Sequence, residues 1–320
     1  MIATAPGKLI VTGEYAVLDG APALVLAVNR RVIATRRRGP RGSSAFLVAV
    51  VQELEKRLGK DDPATRAAME IVVDSTRFYY LGTKLGLGSS AAVTVAATAL
   101  ALAADHPSMR VIDRELVLSV ASEAHANAQG LKGARGSGAD IAASVYGGVI
   151  AFEQATVTPL AWPADLTLVP FFTGASADTP KLVAAVNDAR QRDRAAVDAA
   201  LTAIGRASRA ACQACATRVP EIASNALLAA FALAAHAMEQ LAAASGIPLV
   251  PSSVTAARAA MAKLGGTAKT TGAGAGDIAI AVIPGTEDVT QARRYLIEAG
   301  CQPLQLAVDT TGVDLQPDAQ

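Results

Sequence analysis

Two rhythms of apolar and polar positions alternate along this chain, and the changes between them mark its elements. LIVTGEYAVLDG (9–20) is apolar and β-branched, broken at Gly13 and Gly20, and ALVLAVNRRVIATRRR (23–38) continues in kind, so both predict strand. AFLVAVVQELEKRLG (45–59) switches to helical spacing and stops at Gly59, a glycine C-cap. Strand character returns over 70–80, then the glycine-rich stretch LGTKLGLGSSAA (81–92) runs directly into the helical composition of VTVAATALALAA. A further helix is predicted over 114–128, then a second glycine-rich loop, QGLKGARGSGAD (129–140), leads into IAASVYGGVIAFE. The pattern changes at TPLAWPADLTLVPFFTGAS, with three prolines and the only tryptophan, which places a boundary near 155–165. Beyond it, Pro180 to Leu241 reads as largely helical. Ser253–Leu264 then predicts a helix, TTGAGAGD a turn, IAIAVI a strand, 289–299 a helix and LQLAVDT (304–310) a last strand. Two β–α–β-type units in the last third suggest helices on a small antiparallel sheet, an α+β architecture.

Composition narrows the picture. At ~150 residues per domain, 320 residues divide into about two, taken as 1–160 and 161–320. Lys+Arg number 29 and Asp+Glu 28, so the net charge of +1 gives no global attraction to nucleic acid or an anionic membrane. Apolar residues are 52% and aromatics only 4%, so the core is made of many small side chains. No apolar run is read as reaching the ~20 residues of a membrane helix. Pro6, Gly7 and Lys8 stand where a signal peptide would be apolar, and three cysteines do not make a disulfide framework. A cytoplasmic location is expected. The basic run 29–42 lacks interleaved aromatics and reads as a solvated strand end and loop. Cys212 and Cys215 form an isolated CxxC in an alanine-rich helical run, without a second pair or a nearby histidine, and read as packing residues.

Three glycine loops carry the candidate chemistry. In GLGSSAA, Gly86 and Gly88 let backbone approach a ligand, and Ser89 and Ser90 sit where a helix begins, so unpaired N–H groups would face an anion. The alternative is a tight turn with a serine N-cap. GARGSGAD puts Asp140 beside Lys132 and Arg135, either as a reactive carboxylate or as the cap of a helix starting at Ile141. KTTGAGAGD, alone, reads as a helix-to-strand turn. Together the three loops, each with a cation and two with an aspartate, imply a polyanionic ligand between two domains.

APGKLIVTGEYAVLDG, GLGSSAA and TTGAGAGD, in that order, resemble the three motifs of the GHMP kinases. Within that family, GEYAVL, GLGSSAAVTV, GSGADIAASVYGG and FTGASADTPKLV are similar to bacterial phosphomevalonate kinases, with Thr271 and Ala275 as departures from their third motif. The resemblance implies a ribosomal-protein-S5-like N-terminal domain, a ferredoxin-like C-terminal domain, and ATP with Mg²⁺. It implies catalytic roles for Lys8, Lys84 and Asp140, and an ATP loop of Gly86, Leu87, Gly88, Ser89, Ser90 and Ala91. It assigns the acceptor to Tyr15, Arg135, Ser137, Gly138, Lys269, Gly272 and Ala273, and the metal to Ser90 and Glu123. The expected reaction is phosphorylation of 5-phosphomevalonate by a monomer or homodimer, with mevalonate as the alternative acceptor. An ATP-binding regulatory protein is the non-enzymatic alternative. Charge points the same way, because joining two phosphates needs more cations than phosphorylating an alcohol. Each contact at ~4 Å is worth about 4 kcal/mol at an effective dielectric of 20.

Overall fold

The computed structural model describes residues 1–37, 44–80, 82–105, 112–130 and 136–317. In the first half, β1 (Ile2–Thr12), β2 (Ala23–Arg36), α1 (Ala45–Leu58), α2 (Pro63–Ala68) and β3 (Ile71–Asp74) are followed by the short hairpin β4 (Tyr79–Tyr80) and β5 (Thr83–Lys84). Then come α3 (Ser89–Leu102), α4 (Arg114–Gly130), α5 (Ala139–Tyr146), β6 (Val149–Glu153) and β7 (Thr156–Leu160). The second half runs β8 (Leu166–Phe172), α6 (Thr179–Arg192), α7 (Arg194–Ala216), α8 (Pro220–Ser245) and α9 (Ser252–Ala262). It ends with β9 (Thr267–Thr270), β10 (Ile278–Pro284), α10 (Val289–Glu298), β11 (Gln302–Pro303) and β12 (Asp314–Gln316).

Among the described residues two larger sheets form, both antiparallel. The first has the order β12-β1-β2-β6-β7 with β3 on β2, the second β11-β8-β10-β9. This is the α+β class that the residue pattern predicts. β1 and β2 are buried along most of their length because α3, α5 and α7 all pack on them. Small residues make that approach possible: the Ser144 hydroxyl of α5 donates to the Pro6 carbonyl at 2.8 Å, beside a break in strand register at Pro6/Gly7. Gly7 has no room for a side chain, since a Cβ there would lie 2.7 Å from the Leu87 carbonyl oxygen and from Phe78. The Lys8 N–H donates to that same carbonyl at 2.9 Å, which seats the loop before α3 on β1.

Several elements differ from the sequence pattern. The strand read over 9–20 ends at Thr12, and Ala16–Asp19 is a 3-10 turn entered through Tyr15 at φ 57°. The strand read over 70–80 stops at Asp74, whose carboxylate accepts from the Thr76 N–H at 2.9 Å and starts another such turn. Of the strand read over 304–310, only Val308 bridges a neighbour, Val28, and the chain instead returns to the first sheet through β12. KTTGAGAGD joins two strands, β9 and β10, rather than a helix to a strand. In the basic run, Arg31 is held by Asp309, Thr4 and the Gly312 carbonyl rather than by solvent, and residues 38–43 lie outside the described part. Finally, α8 is long and apolar enough by length and composition to cross a membrane, contrary to the sequence expectation. In this fold it packs along α7 and buries Leu227, Phe231, Ala234, Met238 and Leu241.

Candidate active site

A cavity of about 540 Å³ opens where β1, the starts of α3 and α5, and the loops 176–180 and 271–277 meet. Its position follows from the backbone. Gly86 and Gly88 both take positive φ, 69° and 72°, and Gly88 caps α3 without any side-chain cap. Gly138, at φ 87°, begins α5 in the same way. Two helices thus present their positive ends at one cavity: α3 has no side-chain cap, while the Ala139 N–H that begins α5 donates to the Ser137 hydroxyl at 3.3 Å. The open N-terminus of α3 suits phosphate oxygens. Neither glycine of the first loop has space for a Cβ: at Gly86 it would lie 2.5 Å from an Asp277 oxygen, and at Gly88 3.0 Å from the Lys8 side chain.

Lys8 and Lys84 line this cavity together with Asp140 and Asp277. The Lys8 ammonium makes no hydrogen bond or ion pair among the described residues. Burial lowers its pKa below the ordinary lysine value, opposed by Asp140 and Asp277 and reinforced by nearby Lys84. Asp277 is the counterpart: burial raises its carboxyl, opposed by the Ala177 N–H, Lys8 and Lys84. Two carboxylates and two ammonium groups therefore share one site without closing direct pairs, so the lysines remain free for an incoming anion. Asp140 is the second residue of α5, which starts at Ala139 rather than Ile141, and its carboxylate accepts from the Ile141 N–H at 3.0 Å.

Of the residues assigned from sequence, Gly86, Gly88, Ser89, Ser90, Tyr15, Ser137, Gly272 and Ala273 also line the cavity. The Tyr15 hydroxyl donates to the Ala273 carbonyl at 2.6 Å, tying the first motif to the third, and burial raises its pKa. Leu87 and Ala91 are buried in the core beneath the loop, and Gly138 serves as the α5 cap, so none of the three faces the cavity.

Lys269 corrects the sequence assignment most clearly. It is fully buried in β9, paired with the equally buried Glu14, and donates to the Val11 and Thr270 carbonyls at 2.9 and 2.6 Å. Its ammonium also lies 5.6 Å from the centre of the Phe231 ring. Burial lowers Lys269 and raises Glu14, each opposed by the partner. It is a tie between the two sheets, not an acceptor ligand. Glu123 is exposed on α4 and does not line the cavity. Arg135, like Lys132, lies outside the described residues.

Sequence reasoning assigned no role to Asp277, Glu14, Phe46, Gln129 or the stretch Ser176–Pro180, all of which line the cavity. Asp277 had a signal, as the aspartate closing a glycine-rich loop. It also fastens the 173–177 segment: its N–H donates to the Ala175 carbonyl at 2.7 Å and its carboxylate accepts from Ala177 at 3.3 Å.

The described residues contain no cluster of three or more metal-ligating side chains. A magnesium ion needs none, because it keeps several waters and takes one or two protein oxygens besides the substrate phosphates. The Ser90 hydroxyl and Asp140 carboxylate, both at the cavity wall, are hard oxygen donors of that kind. The residues fit the ion without Glu123.

Residues 45–148 match the family model "GHMP kinases N terminal domain". A mevalonate kinase of Archaeoglobus fulgidus is 33% identical over 219 residues, covering 64% of this chain and 69% of that protein. The chain belongs to the GHMP kinase family. A phosphomevalonate kinase of a Streptomyces species (strain CL190) is 29% identical over 374 residues, covering 97% of each chain. The structure of Streptococcus pneumoniae phosphomevalonate kinase in complex with phosphomevalonate and AMPPNP superposes with a TM-score of 0.77 at 16% identity. The two chains cover 96% and 99% of one another, a likeness of fold. The mixed helix-and-sheet architecture is that of GHMP kinases.

The cysteines stay outside this kinase site. Cys212 and Cys215 are free thiols on α7, absent from the cavity wall, and burial pushes them up to about 11 and about 12. Such thiols are protonated and unreactive at neutral pH. Replacing both with serine is expected to leave kcat/KM within about twofold and to lower Tm slightly, because a buried hydroxyl lacks the packing of sulfur. Activity lost in step with zinc release would contradict this.

Proposed function

We propose that this kinase transfers the γ-phosphoryl group of ATP to the phosphate of 5-phosphomevalonate, giving 5-diphosphomevalonate and ADP. The observation that carries the proposal is the pair of unpaired lysines, Lys8 and Lys84, facing one cavity beside the uncapped N-terminus of α3. Similarity to the Streptomyces phosphomevalonate kinase over nearly the whole chain supports the choice of acceptor. The cation count is smaller than the loops suggest: Lys8 and Lys84 line the cavity, Lys269 is buried against Glu14, and Lys132 and Arg135 lie outside the described residues.

An acceptor phosphate oxygen would attack the γ-phosphorus while the bond to the β–γ bridging oxygen breaks, and the charge leaves on ADP. Such transfers need positioning and charge neutralisation more than covalent help. The first loop, Gly86 to Ser90, holds the ATP phosphates; Lys8 and Lys84 face the charge that spreads over the transferring group. Ser90 and Asp140 would hold Mg²⁺, which when bound would supply further neutralisation of the phosphate oxygens. Phosphate monoesters have a second pKa near 6, so the nucleophile arrives largely ionised. Asp140 then orients Lys8 and the acceptor instead of taking a proton. Tyr15, Ser137, Gly272 and Ala273 border the acceptor. The work is cytoplasmic, on small molecules.

The mevalonate kinase of Archaeoglobus fulgidus favours the second reading, mevalonate as acceptor. Measuring kcat/KM for both acceptors at the same ATP and Mg²⁺ separates the two. Phosphomevalonate is expected to be preferred by at least about tenfold, because cations left without their phosphate cost binding energy. Equal or better turnover of mevalonate would overturn the assignment.

A further inference from the structure

His125 lies on α4 with only 3% of its surface exposed, and it does not line the cavity. Its Nε2 is 3.1 Å from the Ser90 hydroxyl. Its ring stacks on Phe46 of α1, with centroids 5.1 Å apart and planes at 24°. Ser90 and Phe46 both reach the cavity wall, so His125 stands directly behind two of its residues. A buried imidazole placed this way holds one orientation, and so does what it bonds.

A serine hydroxyl carries one hydrogen and two lone pairs, and it rotates unless something fixes it. If Nε2 carries the hydrogen, one Ser90 lone pair is spent on His125 and the hydroxyl hydrogen turns elsewhere. When Nε2 is the acceptor, Ser90 donates backward and both lone pairs stay available to a cation. Each arrangement leaves a lone pair for a cation, but the second leaves both and makes the oxygen more electron-rich, so it serves a metal ligand better. We propose that His125 is a positioning residue: its Nε2 accepts the Ser90 hydroxyl hydrogen, with the ring hydrogen on Nδ1, and turns the serine lone pairs toward the metal that accompanies the nucleotide. Hydrogen-bond partners behind a metal ligand commonly orient it toward the ion. This inference rests on the reading of the cavity as an Mg·ATP site.

The test is calorimetric titration of the full chain with ATP, in Mg²⁺ and in EDTA. His125→Phe keeps an aromatic ring against Phe46 and removes the nitrogen. It is expected to weaken binding about tenfold in Mg²⁺, the loss of roughly one hydrogen bond serving a charged partner, and to leave binding in EDTA unchanged. His125→Gln keeps an acceptor near the Nε2 position and is expected to restore most of the affinity. Ser90→Ala should weaken binding more in Mg²⁺ than in EDTA, and adding His125→Phe to it should cost nothing more. Loss of equal size in Mg²⁺ and EDTA, or losses that add in the double variant, would overturn the proposal. If His125→Phe does not fold, His125→Gln and Ser90→Ala carry the comparison: wild-type-like affinity of His125→Gln in Mg²⁺ beside a Ser90→Ala loss larger in Mg²⁺ than in EDTA supports it, and a Ser90→Ala loss no larger in Mg²⁺ than in EDTA refutes it. Wild-type protein that binds no ATP would sink the kinase reading itself, whereas Mg²⁺-dependent binding indifferent to His125 sinks this inference alone.

Discussion

Lys269→Met is expected to lower the free energy of unfolding by about 3–5 kcal/mol, the cost of leaving one member of a buried ion pair alone. The lysine is fully buried and its ammonium meets Glu14 and the Val11 and Thr270 carbonyls. Methionine fills most of its volume but offers none of those hydrogen bonds, so Glu14 would have to be buried as a lone carboxylate or take up a proton. The pair spans 255 residues of sequence and joins β9 to the turn after β1, so both sheets feel the loss. Urea unfolding measures it, as a fall in the midpoint at unchanged slope. Glu14→Met with Lys269→Met should recover much of the deficit, since an apolar pair of similar volume removes the stranded charge. A single variant within 1 kcal/mol of wild type, about the size of a surface substitution, would mean the pair is dispensable.

Lys8→Met should do the opposite to stability while abolishing most of the activity. Its ammonium has no partner among the described residues, and burial lowers its pKa, so its charge is held at a cost to the ligand-free protein. Methionine removes that cost, and Tm should stay level or rise, a trade of stability against function common at active sites. Turnover should fall by roughly 10²–10³-fold, the loss typical when one group that stabilises transition-state charge is removed. Lys84→Ala, at the exposed edge of the same cavity, should lose about 10²-fold by the same argument. Single-turnover rates with saturating ATP and acceptor measure both. Near-normal turnover in a folded Lys8→Met protein would remove Lys8 from the reaction.

What the sequence could convey was whatever chemistry is local. Helix α1 ends at Gly59 as its glycine C-cap predicts, and α3 begins at Ser89 where the serines mark a helix start, though its N-cap is Gly88 and not a serine. The first two motifs and the GARGSGAD loop likewise bring Lys8, Ser90 and Asp140 to one cavity. Failures came where a distant partner decides. Tyr15 leaves the strand conformation and bonds Ala273, 258 positions away. Lys269 looks like a loop cation until β9 turns it inward toward Glu14. His125 shows no ligand spacing, and its partner Ser90 lies 35 residues earlier on another helix. No periodicity records such meetings.

The return of β12 to β1 has a bearing on how the protein is made. Ile2 pairs with Gln316 and Thr4 with Asp314, so the outer edge of β1 waits for a strand synthesised roughly 300 residues later. At ~5–20 residues per second, that edge stands open for some tens of seconds on the ribosome. An unpaired edge is a template for the wrong strand from another chain. The nascent first half is therefore exposed to such mispairing until the last strand arrives.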